Sequence, residues 1–286
     1  MNQFKYVLGK DDNEINRLKA QAANLAESTA LVLQRGGIRR GMRALDLGSG
    51  PGDVSFQLAE MVGPDGFVVG LEQDPAQIAV AEGRRAKMGP TNVVFRRGDA
   101  RTFTTEEPFD AVVCRLLLTH LPDAGDVLAH QVCNLRPGGV LVAVDFDAGN
   151  CRSLPEVPLF SQVIHWLEAG FRYAEVDPFI GMRFPLLFRQ LDLEAVGSMG
   201  IQAYFPPEDR HALGRLIELV RTIEGTILAS GVVTADELDV DTLEQRLDPA
   251  LRSTNAVFTL PTVVGGWGRR PAHPLSAAVE SASATR

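Results

Sequence analysis

Cysteine is scarce in this chain. Cys114, Cys133 and Cys151 are the three present in 286 residues. They are scattered and odd in number, which excludes a disulfide framework and suits a reducing compartment. Long apolar runs are also missing: none approaches the ~18 residues of a membrane-spanning helix, and the start, Met1 to Tyr6, lacks the apolar region of an export signal. Positive charge is in deficit, with 28 Lys and Arg against 36 Asp and Glu and a formal net charge of -8. Phosphate backbones and anionic lipid surfaces call for the opposite sign. Neither nucleic acid nor a membrane is expected as a partner, and the expected location is cytoplasmic. His130 and Cys133 stand three apart in a helical stretch, but two ligands do not make a zinc site, so no metal is expected. No internal repeat is visible.

What the chain does have is a 45% hydrophobic content, ample for a core, and one conspicuous unit. Met42 to Leu47 is short and apolar, as a buried strand is; Val54 to Met61 then has helical spacing; between them lie Gly48, Gly50 and Gly52. Glycines there allow a sharp turn and close approach of a ligand, and the free N–H groups of the following helix face the same gap. A strand, glycine-rich turn and helix in this order form a nucleotide-binding element. A dinucleotide loop would carry a third glycine where this chain has Asp53. Asp46 and Asp53 put negative charge where a pyrophosphate would sit, so a cationic ligand fits better. S-adenosyl-L-methionine, with a sulfonium and an ammonium, is such a ligand.

Two further strands end in matching chemistry. Phe67 to Leu71 runs into Glu72, a carboxylate able to accept ribose hydroxyls. Val93 to Phe95 is followed by Gly98-Asp99-Ala100, which would bring a carboxylate to the adenine amino group. These motifs, with Phe109-Asp110-Ala111-Val112-Val113, Leu121-Pro122-Asp123 and Leu135-Arg136-Pro137-Gly138-Gly139, resemble in content and order those of the class I S-adenosylmethionine-dependent methyltransferases. Within that family, Tyr6-Val7-Leu8-Gly9 and the helical C-terminal part resemble bacterial small-molecule methyltransferases of secondary metabolism.

The resemblance implies an α/β fold: a doubly wound, Rossmann-like, seven-stranded sheet with helical lid insertions. It divides the chain into an N-terminal arm and cap helix (1–40), a cofactor-binding core (41–147), remaining strands with lid helices over the substrate (148–270) and a disordered tail (271–286). In the core, Asp74-Pro75 predicts a helix start and Gly89-Pro90 its end. In the C-terminal part, periodicity predicts helices near 159–171, 184–196 and 213–228, a capping box at Thr234 and Glu237 before a helix to Leu247, a sixth strand at Ile201–Phe205, and a final strand at Ala256–Val264 lying antiparallel to the sheet.

The implied cofactor is S-adenosyl-L-methionine, leaving as S-adenosyl-L-homocysteine. Its expected contacts are Asp46, Gly48, Ser49, Gly50, Gly52, Glu72, Gln73, Asp99, Ala100 and Arg115, the last either framing the cofactor or forming a structural ion pair. Methyl transfer by in-line displacement to O, N or C of a small organic acceptor needs little beyond positioning, plus a base where the acceptor must lose a proton. His120, after the fourth strand, and Asp145, after the fifth, are the catalytic candidates. His120 has an alternative role as a cap for the following segment. Asp145 and Asp147 have alternatives as binders of a substrate ammonium or as solvated carboxylates. Tyr6, Tyr173 and Tyr204 are candidate substrate contacts, with packing roles as the alternative. The partner is a small-molecule acceptor, and the protein a monomer or homodimer. A second functional class stays open: a protein of this fold that binds the cofactor without transferring its methyl, as a cyclase, decarboxylase or regulatory module.

Overall fold

The computed structural model describes residues 25–272; the expected N-terminal arm and nearly all of the expected C-terminal tail lie outside the described residues. Residues 25–36 are helical (α1) and end at Gly37, whose φ of 89° stops the helix in the left-handed region. The main sheet takes β1 (Arg43–Leu47), β2 (Phe67–Glu72), β3 (Val93–Arg97), β4 (Phe109–Arg115) and β5 (Leu135–Asp147) as parallel strands. They are joined by α2 (Asp53–Val62), α3 (Pro75–Met88) and α4 (Ala124–Val132), as right-handed crossovers require. The expected punctuation is present. Asp74 caps α3 by accepting from Ala76 N with Pro75 in the first turn, and Gly89 closes the helix at φ 79°.

Beyond β5 the chain folds α5 (Pro158–Tyr173), α6 (Ile180–Gln190) and β7 (Glu194–Ile201), then α7 (Arg210–Thr222), α8 (Glu224–Ala229), α9 (Ala235–Leu238) and α10 (Val240–Ser253), and closes on β10 (Thr262–Arg269). The seven-stranded order is β3-β2-β1-β4-β5-β10-β7, with β10 antiparallel to both neighbours. Short strands β6 (Ser153–Leu154), β8 (Tyr204–Phe205) and β9 (Val257–Thr259) form a separate antiparallel sheet.

Five sequence expectations are corrected here. The helix predicted from Phe184 to Val196 begins one turn earlier and stops at Gln190, with Pro185 inside it. Val196 therefore belongs to β7, which is the sixth strand of the sheet. Ile201–Phe205 is divided between β7 and β8. The single strand predicted over 256–264 is two strands in two sheets, parted at Leu260-Pro261, where proline has no N–H for a ladder; the antiparallel placement holds for β10. The helix over 213–228 breaks at Ile223, and the helix after the capping box is two, α9 and α10, parted at Asp239, which has a φ of 34°.

Three cores result. One face of the main sheet (Ala44, Val68, Val113, Val142, Val144) packs on α1 and α2 through Val32, Leu33, Phe56 and Leu58. The other face (Leu45, Leu47, Val112, Leu141, Ala143) packs on α4 and α6 through Leu128, Phe184 and Phe188. The third core is formed by α5, α7, α8, α10 and the small sheet, around Phe160, Leu216, Leu247 and Phe258. The C-terminal helices thus build a hydrophobic unit of their own.

Candidate functional site

The carboxyl ends of the parallel strands lie level. Leu47 pairs with Leu71 and Cys114, Glu72 with Arg97, and Arg115 with Val144. Alternation along the strands sends Asp46 and Arg115 toward the α1/α2 face, and Asp145 and Asp147 toward the α4/α6 face.

Gly48, Gly50 and Gly52 have φ of 64°, 51° and 90°, a region closed to most side chains. Their roles differ. A Cβ at Gly52 would lie 2.7 Å from Phe95 Cζ and 2.9 Å from Phe56 Cε2, and one at Gly48 would lie 3.1 Å from Leu117 Cδ1, so these two permit close packing. A Cβ at Gly50 would meet nothing within 4 Å. The loop is open at that point. Gly50 N donates to Glu72 Oε2 at 2.9 Å, while Gln73 N and Asp74 N donate to Oε1 at 2.8 and 2.9 Å. Three backbone donors therefore fix the Glu72 carboxylate beside the open glycine. Ser49 donates its N–H to Leu71 O at 3.0 Å, and its buried Oγ has no hydrogen-bond partner among the described residues.

Asp46 is buried at the end of β1. Burial pushes its carboxyl up to about 7; the Ser55 hydroxyl, donating at 2.6 Å, and nearby Arg115 pull the other way. Burial in turn lowers the Arg115 pKa, opposed by Asp46 and Asp53. Arg115 Nη1 also donates to Thr29 Oγ1 at 3.3 Å, tying the site to α1. Asp53 is paired with Arg84 at 2.8 Å. Asp99 accepts from Arg101 N at 2.8 Å, and Arg101 forks onto Asp123 at 2.9 and 3.1 Å, bracing the Asp99 loop against the start of α4. The Arg101 bond holds the Asp123 carboxyl below its usual range. Ala100 O accepts from Gln131 Nε2 at 2.6 Å.

On the other side, Leu116 leaves β4 with a φ of 53°, an uncommon conformation for a bulky residue. It redirects the chain into a 3-10 turn, Leu118–His120, with His120 half-buried. Asp145, 1% exposed, secures that turn: Oδ2 accepts from Thr119 N at 3.2 Å and Oδ1 from Phe146 N at 2.9 Å. Burial raises its carboxyl to about 7, against the lowering effect of these bonds. Thr119 also makes a two-way clip to the α5–α6 connection, donating Oγ1 to Asp177 O at 2.8 Å and accepting Asp177 N at 2.9 Å. Asp147 is buried and accepts from Gly149 N at 3.0 Å.

The loop residues, Glu72, Gln73, Asp99, Ala100, Arg115, His120 and Asp145 thus all stand at the carboxyl edge of the sheet. Tyr173 and Tyr204 are 58% and 69% exposed, which removes core packing as their role. Tyr6 lies outside the described residues. Ser55, Thr29, Arg101 and Asp177 escaped the sequence reading. Only Ser55 had a signal, one turn into the helix after the glycine loop; the other three reach the site through tertiary contacts. His130 is engaged with Phe103 O at 2.9 Å.

Comparison with known proteins agrees with this architecture. Residues 38–176 match a family model described as a methyltransferase domain. The match covers 139 of the 286 residues, and over them the chain is similar to methyltransferase domains. Among relatives, the demethylmenaquinone methyltransferase of Lactococcus lactis is 31% identical over 156 residues, 54% of this chain and 58% of that protein. That of Staphylococcus aureus (strain JH9) is 32% identical over 133 residues, covering 46% and 52%. The matched stretch thus spans between half and three fifths of these relatives' length. Among solved structures, the phosphoethanolamine N-methyltransferase 2 of Haemonchus contortus, in complex with phosphomonomethylethanolamine and S-adenosylhomocysteine, superposes with a TM-score of 0.55 at 18% identity, covering 85% of this chain and 52% of that one. At that identity the likeness is one of fold.

Proposed function

We propose that this chain binds S-adenosyl-L-methionine at the carboxyl edge of β1–β3 and transfers its methyl group to a small organic acceptor held beyond β4 and β5. One observation carries the reading: an open Gly50 set directly beside a Glu72 carboxylate that three backbone N–H groups hold in place. The residues present fit the cofactor. The unpartnered Ser49 Oγ and the Gly50 gap leave room and a polar contact at the loop. Asp46 and Glu72 suit a cationic ligand, and Asp99, beyond β3, would accept from the adenine amino group.

When bound, the cofactor supplies a methyl already activated on a sulfonium. What is left to the protein is orientation of the acceptor at about 3 Å in line with that methyl, and a base where a proton must leave. We assign His120 the base role. Asp145 works through position: both of its oxygens accept backbone N–H bonds, one of them from the turn that carries His120. Residues 41–147 hold the cofactor in this scheme, and 148–270 shape the acceptor site. The acidic balance and the absence of a membrane-crossing helix among the described residues support a small metabolite as substrate and the cytoplasm as location.

Calorimetry with S-adenosylmethionine and S-adenosylhomocysteine tests the proposal. Both should bind, and Asp99→Ala and Glu72→Ala should each weaken binding at least tenfold while the fold stays intact by circular dichroism. Absence of binding to either compound by the unaltered chain overturns the reading.

A further inference from the structure

The matched model describes a methyltransferase domain and names no acceptor. The structure carries an observation of its own. Asp147, the last residue of β5, is 6% exposed. One carboxylate oxygen accepts from Gly149 N at 3.0 Å. Among the described residues Asp147 has no cationic partner. Arg183, a cation on α6, is committed to Asp177 at 2.7 Å. Asp145, two residues earlier on the same face, adds a second acidic group rather than a counter-charge. A buried carboxylate without a counter-ion is costly and is ordinarily paired.

The surroundings say what would pair it. Gly149 has no side chain, and a Cβ built there would lie 3.2 Å from Asp147 Oδ1, 3.8 Å from Oδ2 and 3.8 Å from Phe179 Cδ1. Gly149 thus lets a carboxylate and an aromatic ring come close to the same stretch of backbone. Phe179 is half-buried, is tethered by its N–H to Asp177 Oδ1 at 3.0 Å, and belongs to none of the three hydrophobic cores. Its tether lies in the segment that Thr119 clips to the His120 turn. A carboxylate accepts charge-assisted hydrogen bonds from an ammonium, and a ring attracts the same cation through its π face.

We infer that Asp147, Gly149 and Phe179 form an anchoring subsite for a protonated amine on the acceptor. The acceptor is therefore an ammonium-bearing small molecule with an apolar body, whichever of its atoms receives the methyl. The inference rests on the methyltransferase reading for the identity of the ligand as acceptor, and the binding it predicts stands apart from that reading.

The test titrates the full chain, loaded with S-adenosylhomocysteine, with matched pairs: 2-phenylethylamine against 2-phenylethanol, and benzyltrimethylammonium against neopentylbenzene. The cationic member of each pair should bind at least tenfold more tightly. Asp147→Asn, which keeps an acceptor for Gly149 N, should abolish that preference, and Phe179→Leu should reduce it severalfold, with affinity for S-adenosylhomocysteine unchanged in both. Equal binding of the paired compounds, or a preference that survives Asp147→Asn, overturns the inference. Failure of S-adenosylhomocysteine to bind counts against the cofactor reading alone. The pairs are then titrated against the chain by itself, and the same criterion decides.

Discussion

Replacing Asp145 by Asn should change how stability depends on pH, in a direction and by an amount that the structure dictates. In the folded chain, burial holds this carboxyl up to about 7, from an ordinary value of 3.8. A carboxyl that keeps its proton in the folded state but loses it in the unfolded state favours folding only at low pH. Its stabilising contribution is complete below pH 3.8 and is lost as pH rises through about 7. At about 1.4 kcal/mol per pH unit, the full loss is roughly 4 kcal/mol, of which roughly 3 kcal/mol falls between pH 5 and pH 8. The asparagine side chain in Asp145→Asn cannot ionise. It retains the shape and one acceptor oxygen, and gives up one backbone hydrogen bond at a pH-independent cost of about 1–2 kcal/mol. The variant should therefore be slightly less stable than the native chain at pH 5 and more stable at pH 8. Urea denaturation of both proteins at pH 5, 6, 7 and 8 measures this. The difference between them is the informative quantity, because Asp46, also raised to about 7, tilts both curves alike. Parallel stability curves would refute the argument, since they would mean that Asp145 is ionised in the folded chain across the whole range.

Other perturbations follow from the same geometry. Gly52→Ala meets both a φ of 90° and Phe95 at 2.7 Å, and should cost about 2–4 kcal/mol in urea denaturation, whereas Gly50→Ala meets only an unfavourable φ and should cost about 1–2 kcal/mol. Ser55→Ala removes the bond that stabilises the Asp46 carboxylate and should cost about 1–3 kcal/mol at pH 8, with a smaller loss at pH 5, where Asp46 is neutral. Thr119→Val breaks the side-chain half of the clip to Asp177. Hydrogen exchange of the amides near 119 and 177 should accelerate, and Thr119→Ser should restore protection.

The half of the chain with the parallel strands was legible because its signals are local. A strand ending in glycines, a carboxylate at the next strand end and Gly98-Asp99-Ala100 after the third each depend on a few consecutive residues. The caps of α3 and the Thr234–Glu237 box are of the same kind, fixed by backbone chemistry within one turn. The C-terminal half was read less well. Periodicity carried the helix on to Val196, yet α6 stops at Gln190 and holds Pro185 inside it, with Phe184 and Phe188 buried against the sheet. The two strands around Pro261 cannot be told from one by alternation alone, since their parting is decided by which sheet each finds to pair with.

The order of chemistry along the chain was therefore a property of the sequence: which residues stand at strand ends, and that seven strands build an α/β sheet. Tertiary structure decided which of those residues can still act. It showed Gly50 open while Gly48 and Gly52 are packed, and Asp145 spent on backbone N–H groups while Asp147 is a buried carboxylate without a described counter-ion. Burial, desolvation and the choice of partner arise from residues distant in sequence. Phe179 comes to Gly149, and Asp177 to Thr119, only when the helices after β5 pack back onto the sheet edge.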